Sequence, residues 1–317
     1  MTGALRIETG ARLHFGPLSY RPECGRHFGG IGLMIASPGV RLIATPHDSL
    51  EVFHDRAHVF AQTVASNLRF DPKVQLKIDA EIPSHRGLGS GTQLGLAVAE
   101  AVCEISGASE RNPVRLAELS GRGARSAIGI HGYQQGGFFV DAGQRGASAI
   151  GEIACRLEFP EEWPILLIAP QQGKGISGSA EAELFAEISP MDETRSGRLC
   201  RLALTELLPA ISQHDFESWS TALWEYGMLV GEFFRTTQGG VFSDSRVANL
   251  VEHLRKCDVR GIAQSSWGPT IAVFCEDIDR STWLSEKIRQ QGDGWEILET
   301  RGKNTGRTIQ RPEHSPL

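Results

Sequence analysis

The sequence predicts an α+β protein of two units, and three observations carry that prediction. Period-two alternation and helical periodicity are interspersed along the chain without a strict βαβ rhythm. A glycine-rich strand, loop and helix segment organises the first half. A second unit opens at WPILLIAP (163–170). At 317 residues, 40% hydrophobic and 22% charged, the chain can bury a core in each unit.

Taken in order, short strands are expected over 5–9, 11–15, 40–45 and 51–54, then a helix near 55–69 that carries Val59, Phe60, Thr63, Val64 and Leu68. KVQLKID (73–79) alternates Val74, Leu76 and Ile78 with Gln75, Lys77 and Asp79, the pattern of a strand buried on one face. Leu94, Ala97, Val98, Ala101, Val102 and Ile105 form one helical stripe that Gly107 ends. Asn112 and Pro113 are a cap followed by an N1 proline, and Gly121 closes that helix. A strand is expected at Phe138–Asp141. After the strand at 163–170 come a glycine and serine loop, GKGISGS, and helices near 180–188, 192–208, 215–235, 244–256 and 280–290. Strands near 259–264, 270–275 and 294–299 complete the outline of an α/β plait. Phe216, Trp219, Leu223, Tyr226, Val230 and Phe234 read as a core face. Residues 301–317 have no apolar period and read as a flexible tail. The division is therefore 1–160, 161–300 and tail.

A net charge of −6 gives no general attraction to nucleic acid or anionic membrane. The six cysteines are far apart, with no C-x-x-C, and suit a reducing cytoplasm. The N-terminus lacks an apolar h-region, and runs such as PILLIA are too short to span a bilayer. The expectation is a cytoplasmic protein with small-molecule partners.

Residues 82–95, IPSHRGLGSGTQLG, place four glycines just before a helix. The first turn there, about Ser90 to Gln93, exposes N–H groups with no partner within the helix, at the positive end of the macrodipole. Gly87, Gly89 and Gly91 admit an anion close to the backbone. Ser90 and Thr92 offer hydroxyls and Arg86 a charge, so phosphate or diphosphate is the favoured guest. The P-loop pattern fails because no lysine follows the glycines. The dinucleotide fingerprint fails because its sixth position is Thr92. A plain tight turn accounts for the glycines equally well.

Four further segments are glycine-rich and polar: 12–18, 24–32, 121–137 and 261–270. They supply Arg12, His14, Arg26, His27, Arg122, Arg125 and His131, with Gln264, Ser265 and Ser266. Converging on the loop, they would serve a ligand with more than one phosphate. Singly, each has a structural reading: Arg122 and Arg125 as a solvated helix face, His14 and His27 as satisfied strand and loop residues, Gln264–Trp267 as a packed turn. Trp267, Phe138 and Phe139 read as core.

PSHRGLGSGT (83–92) resembles the second signature of the GHMP kinase superfamily, with Gly91 in place of that signature's second serine. Within the superfamily the chain resembles the β-ribofuranosylaminobenzene 5′-phosphate synthase family. The matching segments are ARLHFG (11–16), GRGARSAIG (121–129), GGFFVDAG (136–143), GISGSAE (175–181) with Phe185, and QSSWGPT (264–270). The resemblance implies a GHMP-type two-domain fold, with an N-terminal domain like domain 2 of ribosomal protein S5 and a ferredoxin-like C-terminal domain. It implies condensation of 5-phosphoribosyl 1-diphosphate with 4-aminobenzoate, or a 4-hydroxybenzoate-type analogue, to a C-glycoside, carbon dioxide and diphosphate, in methanopterin biosynthesis. Pro83, Arg86, Gly87, Leu88, Gly89, Ser90, Gly91, Thr92 and Gln93 would hold the diphosphate. Arg12, His14, Arg26, His27, Arg122 and Arg125 are the catalytic candidates. Ser126, His131, Lys174, Ser179, Gln264, Ser265, Ser266, Trp267 and Gly268 are candidate substrate contacts. Mg²⁺ is expected mainly through the diphosphate, since no Asp or Glu pattern names its ligands, and a homodimer is compatible with the sequence. The alternative is an ATP-dependent small-molecule kinase. Many of those kinases carry a catalytic Asp where this chain reads SAIGIHGY (126–133), with no carboxylate before Asp141.

Overall fold

A computed structural model describes residues 3–23, 25–108, 110–124, 126–146, 150–172, 187–292 and 294–311. It shows an α+β architecture of two sheets. The first contains β1 (Leu5–His14), β2 (Gly30–Pro46), β3 (Glu51–Val52), β4 (Val74–Ala80), β5 (Phe138–Asp141), β6 (Ile153–Leu157) and β11 (Thr308–Gln310). Its order is β11-β1-β2-β4-β3, with β5 pairing β2 and β6, and only β3 and β4 run parallel. The second sheet contains β7 (Ile165–Pro170), β8 (Ile262–Gln264), β9 (Ile271–Phe274) and β10 (Trp295–Thr300), in the order β10-β7-β9-β8. Numbered within that unit the order is 4-1-3-2, the antiparallel split-βαβ arrangement of a ferredoxin-like domain.

Helix α2 (Ser90–Ile105) is the pivot of the first unit. Every residue from Gln93 to Glu104 is buried, because β1, β2, α1 (Asp55–Leu68), α3 (Pro113–Leu119) and α4 (Ile128–Gln135) surround it. Gln93 accepts from Thr9 Oγ1 at 2.7 Å and donates to the Gly129 carbonyl at 2.7 Å, tying β1, α2 and α4 together. In the second unit, α5 (Glu193–Arg201) continues through a π-helical stretch, Leu202–Leu207, into α6 (Leu208–Gln213). It is followed by α7 (Phe216–Gln238), α8 (Ser245–Lys256) and α9 (Ile278–Arg289). Trp219 of α7 anchors an aromatic cluster with Phe138, Phe159 and Phe274 at centroid distances of 5.2–5.6 Å. Phe138 and Phe139 are core, as their sequence context suggests.

Several boundaries differ from the sequence reading. The strands expected at 5–9 and 11–15 are one strand, whose register jumps between Gly10 and Ala11 at a bulge. The strand expected at 40–45 is the second half of the 17-residue β2, whose first half is hidden by the glycines and proline between Gly30 and Gly39. The helix at 192–208 runs on to Gln213. The helix expected near 180–188 lies, up to residue 186, outside the described residues.

The largest correction concerns 301–317, which is no loose tail where it is described. Lys303 exchanges backbone bonds with Met34 and Gly137, Arg307 N–H donates to the Tyr133 carbonyl, and β11 pairs with β1 through Ile7 and Ile309. Below the strap, Arg307 donates to both oxygens of Glu100, which is fully buried on α2 and also accepts from Tyr133 Oη at 2.6 Å. Arg311 and Arg111 reach Glu104 in the same way, at 2.6 and 2.8 Å. Backbone pairing and arginines hold the segment, so it shows no apolar period.

Arg307→Ala would leave Glu100 buried with Tyr133 alone. It should destabilise the chain by about 3 kcal/mol, read as a shift of the urea midpoint at constant slope.

Candidate functional site

Where the two units meet, β1, the glycine loop, the start of α2, the segment 121–126, α7 and the turn 264–268 enclose a cavity of about 590 Å³. The loop enters it through three left-handed residues: His85 (φ 59°), Gly87 (φ 76°) and Gly89 (φ 73°). Gly89 is the N-cap of α2, and it has no side chain to satisfy the first turn. By contrast, α1, α3, α5, α7, α8 and α9 are capped by the side chains of His54, Asn112, Asp192, Asp215, Asp244 and Asp277. Thr92 and Gln93 N–H bond back to the Gly89 carbonyl at 3.1 and 3.2 Å. The Ser90 and Gly91 amides lie too early in α2 for an intrahelical acceptor.

Three arginines lie against this turn. A Cβ on Gly89 would meet Arg12 Nε at 3.4 Å, and one on Gly91 would meet Arg122 Nη2 at 3.2 Å and Arg56 Nη2 at 3.5 Å. Arg56 bonds the hydroxyls of Ser84 and, at 3.3 Å, Ser90. Arg122 spreads over the Phe60 ring at 5.9 Å. Among the described residues lining the cavity none is Asp or Glu. The helix end and the guanidinium groups therefore add up to a site for a polyanion.

His14 is not part of that charge. Burial, and then the neighbouring Arg12, push its pKa down to about 3, so it is neutral near pH 7. Its Nδ1 accepts from Gly16 N–H at 3.3 Å, which leaves the proton on Nε2, a buried atom with no hydrogen-bond partner among the described residues.

A second part of the lining is apolar: Trp224, Met228, Val230 and Phe234 of α7, with Val241, Phe242 and Ile262. Trp267 is 7% exposed and packs on Phe234 at 5.1 Å, so it serves as both core and lining. Gln264 is spent on its neighbours, donating to Gln238 Oε1 and the Ser266 carbonyl and accepting from Ser243 N–H.

Of the sequence candidates, Arg12, His14, Arg86, Gly87, Leu88, Gly89, Ser90, Gly91, Thr92, Arg122, Ser126, Gln264, Ser266, Trp267 and Gly268 line the cavity. Others do not. Arg26 is turned to Glu152 at 2.7 Å and the Gly143 carbonyl at 2.9 Å, away from the loop. His27 accepts from Arg21 N–H and lies 3.9 Å from the Phe28 ring. His131 contacts the Gly151 carbonyl at 3.1 Å. Pro83 is exposed outside the cavity, and Gln93 is the buried tie described above. Arg86 borders the cavity, but its guanidinium donates to Pro170 and Gln171 carbonyls and to Glu296, joining the loop to the second sheet. Ser265 is fully buried, with its hydroxyl on the Gly87 carbonyl. Arg125, Lys174 and Ser179 lie outside the described residues.

Sequence reading missed Arg56, His85 and the α7 wall. A cation in the first turn of a helix opposes that helix's own dipole, and this was the available signal for Arg56. For Mg²⁺, the described lining residues offer imidazoles, hydroxyls and side-chain amides beside four arginines, and no three of the described His, Cys, Asp or Glu residues cluster as metal ligands. That donor set does not fit a hard dication.

Comparison with known proteins bears on the fold and on the chain's relatives. Residues 55–139 match the family model described as GHMP kinases N terminal domain. The chain is 27% identical, over 95% of its length and 97% of the relative's, to a Methanothermobacter thermautotrophicus protein named beta-ribofuranosylphenol 5'-phosphate synthase. A Methanocaldococcus jannaschii protein of the same name is 28% identical, over 96% of this chain and 99% of that one. Among solved structures, Staphylococcus aureus mevalonate diphosphate decarboxylase superposes with a TM-score of 0.67 at 14% identity, over 98% of both chains, a likeness of fold. No helix among the described residues is long and apolar enough to cross a membrane.

Two outcomes are expected. Arg56→Ala should weaken binding of inorganic pyrophosphate about tenfold or more by calorimetry, while Arg26→Ala leaves it unchanged. Because the folded pKa of His14 is about 3 and the unfolded value about 6.5, its neutral burial contributes fully above pH 6.5, and that contribution is lost as pH falls toward 3. Urea titrations should show the wild type losing about 2 kcal/mol relative to His14→Gln between pH 6.5 and 4.5.

Proposed function

We propose that this chain, a GHMP-fold relative of the archaeal beta-ribofuranosylphenol 5'-phosphate synthases along nearly its whole length, is a decarboxylating phosphoribosyltransferase of methanopterin biosynthesis. It would join 5-phosphoribosyl 1-diphosphate to a 4-substituted benzoate, in the cytoplasm. The single observation that supports this most is one cavity that holds both the amides and three arginines around Gly89–Gly91 and the apolar residues of α7.

In this reading the C1–O bond of the ribose breaks and its electron pair leaves with the diphosphate. The Ser90 and Gly91 amides with Arg12, Arg56 and Arg122 stabilise the departing oxygens. The ring carbon bearing the carboxylate forms the new bond to C1, pushed by the para amino or hydroxyl group. Loss of carbon dioxide returns the electron pair of its C–C bond to the ring and restores aromaticity. The α7 wall seats the ring and keeps water from the developing sugar cation. Neutral His14 adds no further positive charge to the cavity. The described lining residues form no dication site, so any Mg²⁺ would have to arrive with the diphosphate, and no step above depends on it.

The chain with phosphoribosyl diphosphate, Mg²⁺ and carboxyl-labelled 4-aminobenzoate or 4-hydroxybenzoate should release labelled carbon dioxide without ATP. Production of ADP from ATP and an alcohol, with no labelled carbon dioxide, would instead make it a kinase.

A further inference from the structure

Ser265, in the QSSWGPT segment, is a candidate substrate contact by sequence, but it is not among the residues lining the cavity. It is 0% exposed. Its hydroxyl has one proton, donated to the Gly87 carbonyl at 2.8 Å, and it accepts the His14 N–H at 3.2 Å. The backbone on either side closes the same contact. Ser266 N–H donates to the His14 carbonyl at 2.7 Å, and Gly268 N–H to the Ser265 carbonyl at 2.9 Å. The Ser265 carbonyl packs so closely that a Cβ on Gly87 would lie 2.1 Å from it. Gly87 is therefore required by the other domain's backbone, as well as by its φ of 76°.

The contact reaches the anion site along the chain. Gly87 is held by Ser265, and the Leu88 carbonyl accepts Arg12 N–H at 3.1 Å. Gly89 then opens α2. α2 is held by burial from Gln93 onward, so the short approach from Gly87 to Gly89 is the part of the turn that the Ser265 contact can fix.

We propose that Ser265 is a positioning residue: by bridging Gly87 and His14 it fixes the glycine loop so that the Ser90 and Gly91 amides face the diphosphate, and it never contacts the ligand. The inference rests on the reading that those amides hold the diphosphate. It makes the second domain a determinant of anion affinity in the first.

The test compares Ser265→Ala and Ser265→Thr in the full chain, with inorganic pyrophosphate as the calorimetric probe and kcat and KM from carbon dioxide release. Ser265→Ala should bind pyrophosphate about tenfold more weakly and lose kcat by a similar factor, with the benzoate KM unchanged. It should also shift the ¹⁵N-glycine resonance of Gly91. Ser265→Thr keeps the hydroxyl and should recover most of the loss. Pyrophosphate affinity and a Gly91 resonance unchanged in Ser265→Ala overturn the proposal even if Ser265→Thr does not fold. A raised benzoate KM at unchanged kcat overturns it too, by placing the hydroxyl on the substrate. If the wild type releases no carbon dioxide, the synthase reading fails, and the pyrophosphate and resonance arms still decide the role of Ser265.

Discussion

The structure turns on a helix end that, among the described residues, no side chain caps. Six helices close their first turns with a side chain, but α2 begins on a left-handed glycine and points its amides at a cavity edged by Arg12, Arg56 and Arg122. Such an end is costly in isolation, because first-turn backbone donors without an intrahelical acceptor need another partner. The surrounding fold keeps it in place. α2 is wrapped on all sides, Gln93 ties its first turn to β1 and α4, and the Glu100–Arg307 pair fastens its middle to the returning strap.

β1 is the element both domains share. It carries Arg12 and His14, pairs with β2 on one edge and β11 on the other, and offers its His14 backbone to the turn at 265–266. Arg86 adds a second bridge from the glycine loop to β7 and β10.

How much of this is legible in the sequence follows from the distances over which each signal acts. The strand at 73–79, the loop and the stripe from Leu94 to Ile105 are local patterns, and they lie where the sequence places them, over Val74–Ala80 and Ser90–Ile105. The strap at 301–311 is invisible because pairing between Ile7 and Ile309 leaves no periodicity in a short polar segment. Arg26 and His27 share glycine-rich surroundings with Arg12, yet their partners, Glu152, Arg21 and Phe28, turn them away from the loop. α7 shows one strong apolar stripe and was read as core. Trp224 and Met228 fall outside that stripe and face the cavity.

The division of the cavity also bears on the kind of chemistry it suits. Phosphoryl transfer to an alcohol asks for a group that accepts the alcohol's proton. Here the described lining residues hold no carboxylate, and His14, with a pKa near 3, is a poor base whose Nδ1 already accepts from Gly16. A substitution at ribose C1 asks for less. Its leaving group is a polyanion, its nucleophile is a ring carbon activated by the ring's own substituent, and its last bond cleavage expels carbon dioxide and consumes no proton. For the proposed reaction, the arginines beside Gly89–Gly91 and the apolar residues of α7 in the same cavity would suffice, provided the glycine loop is held still, which is the role the buried hydroxyl of Ser265 would fill.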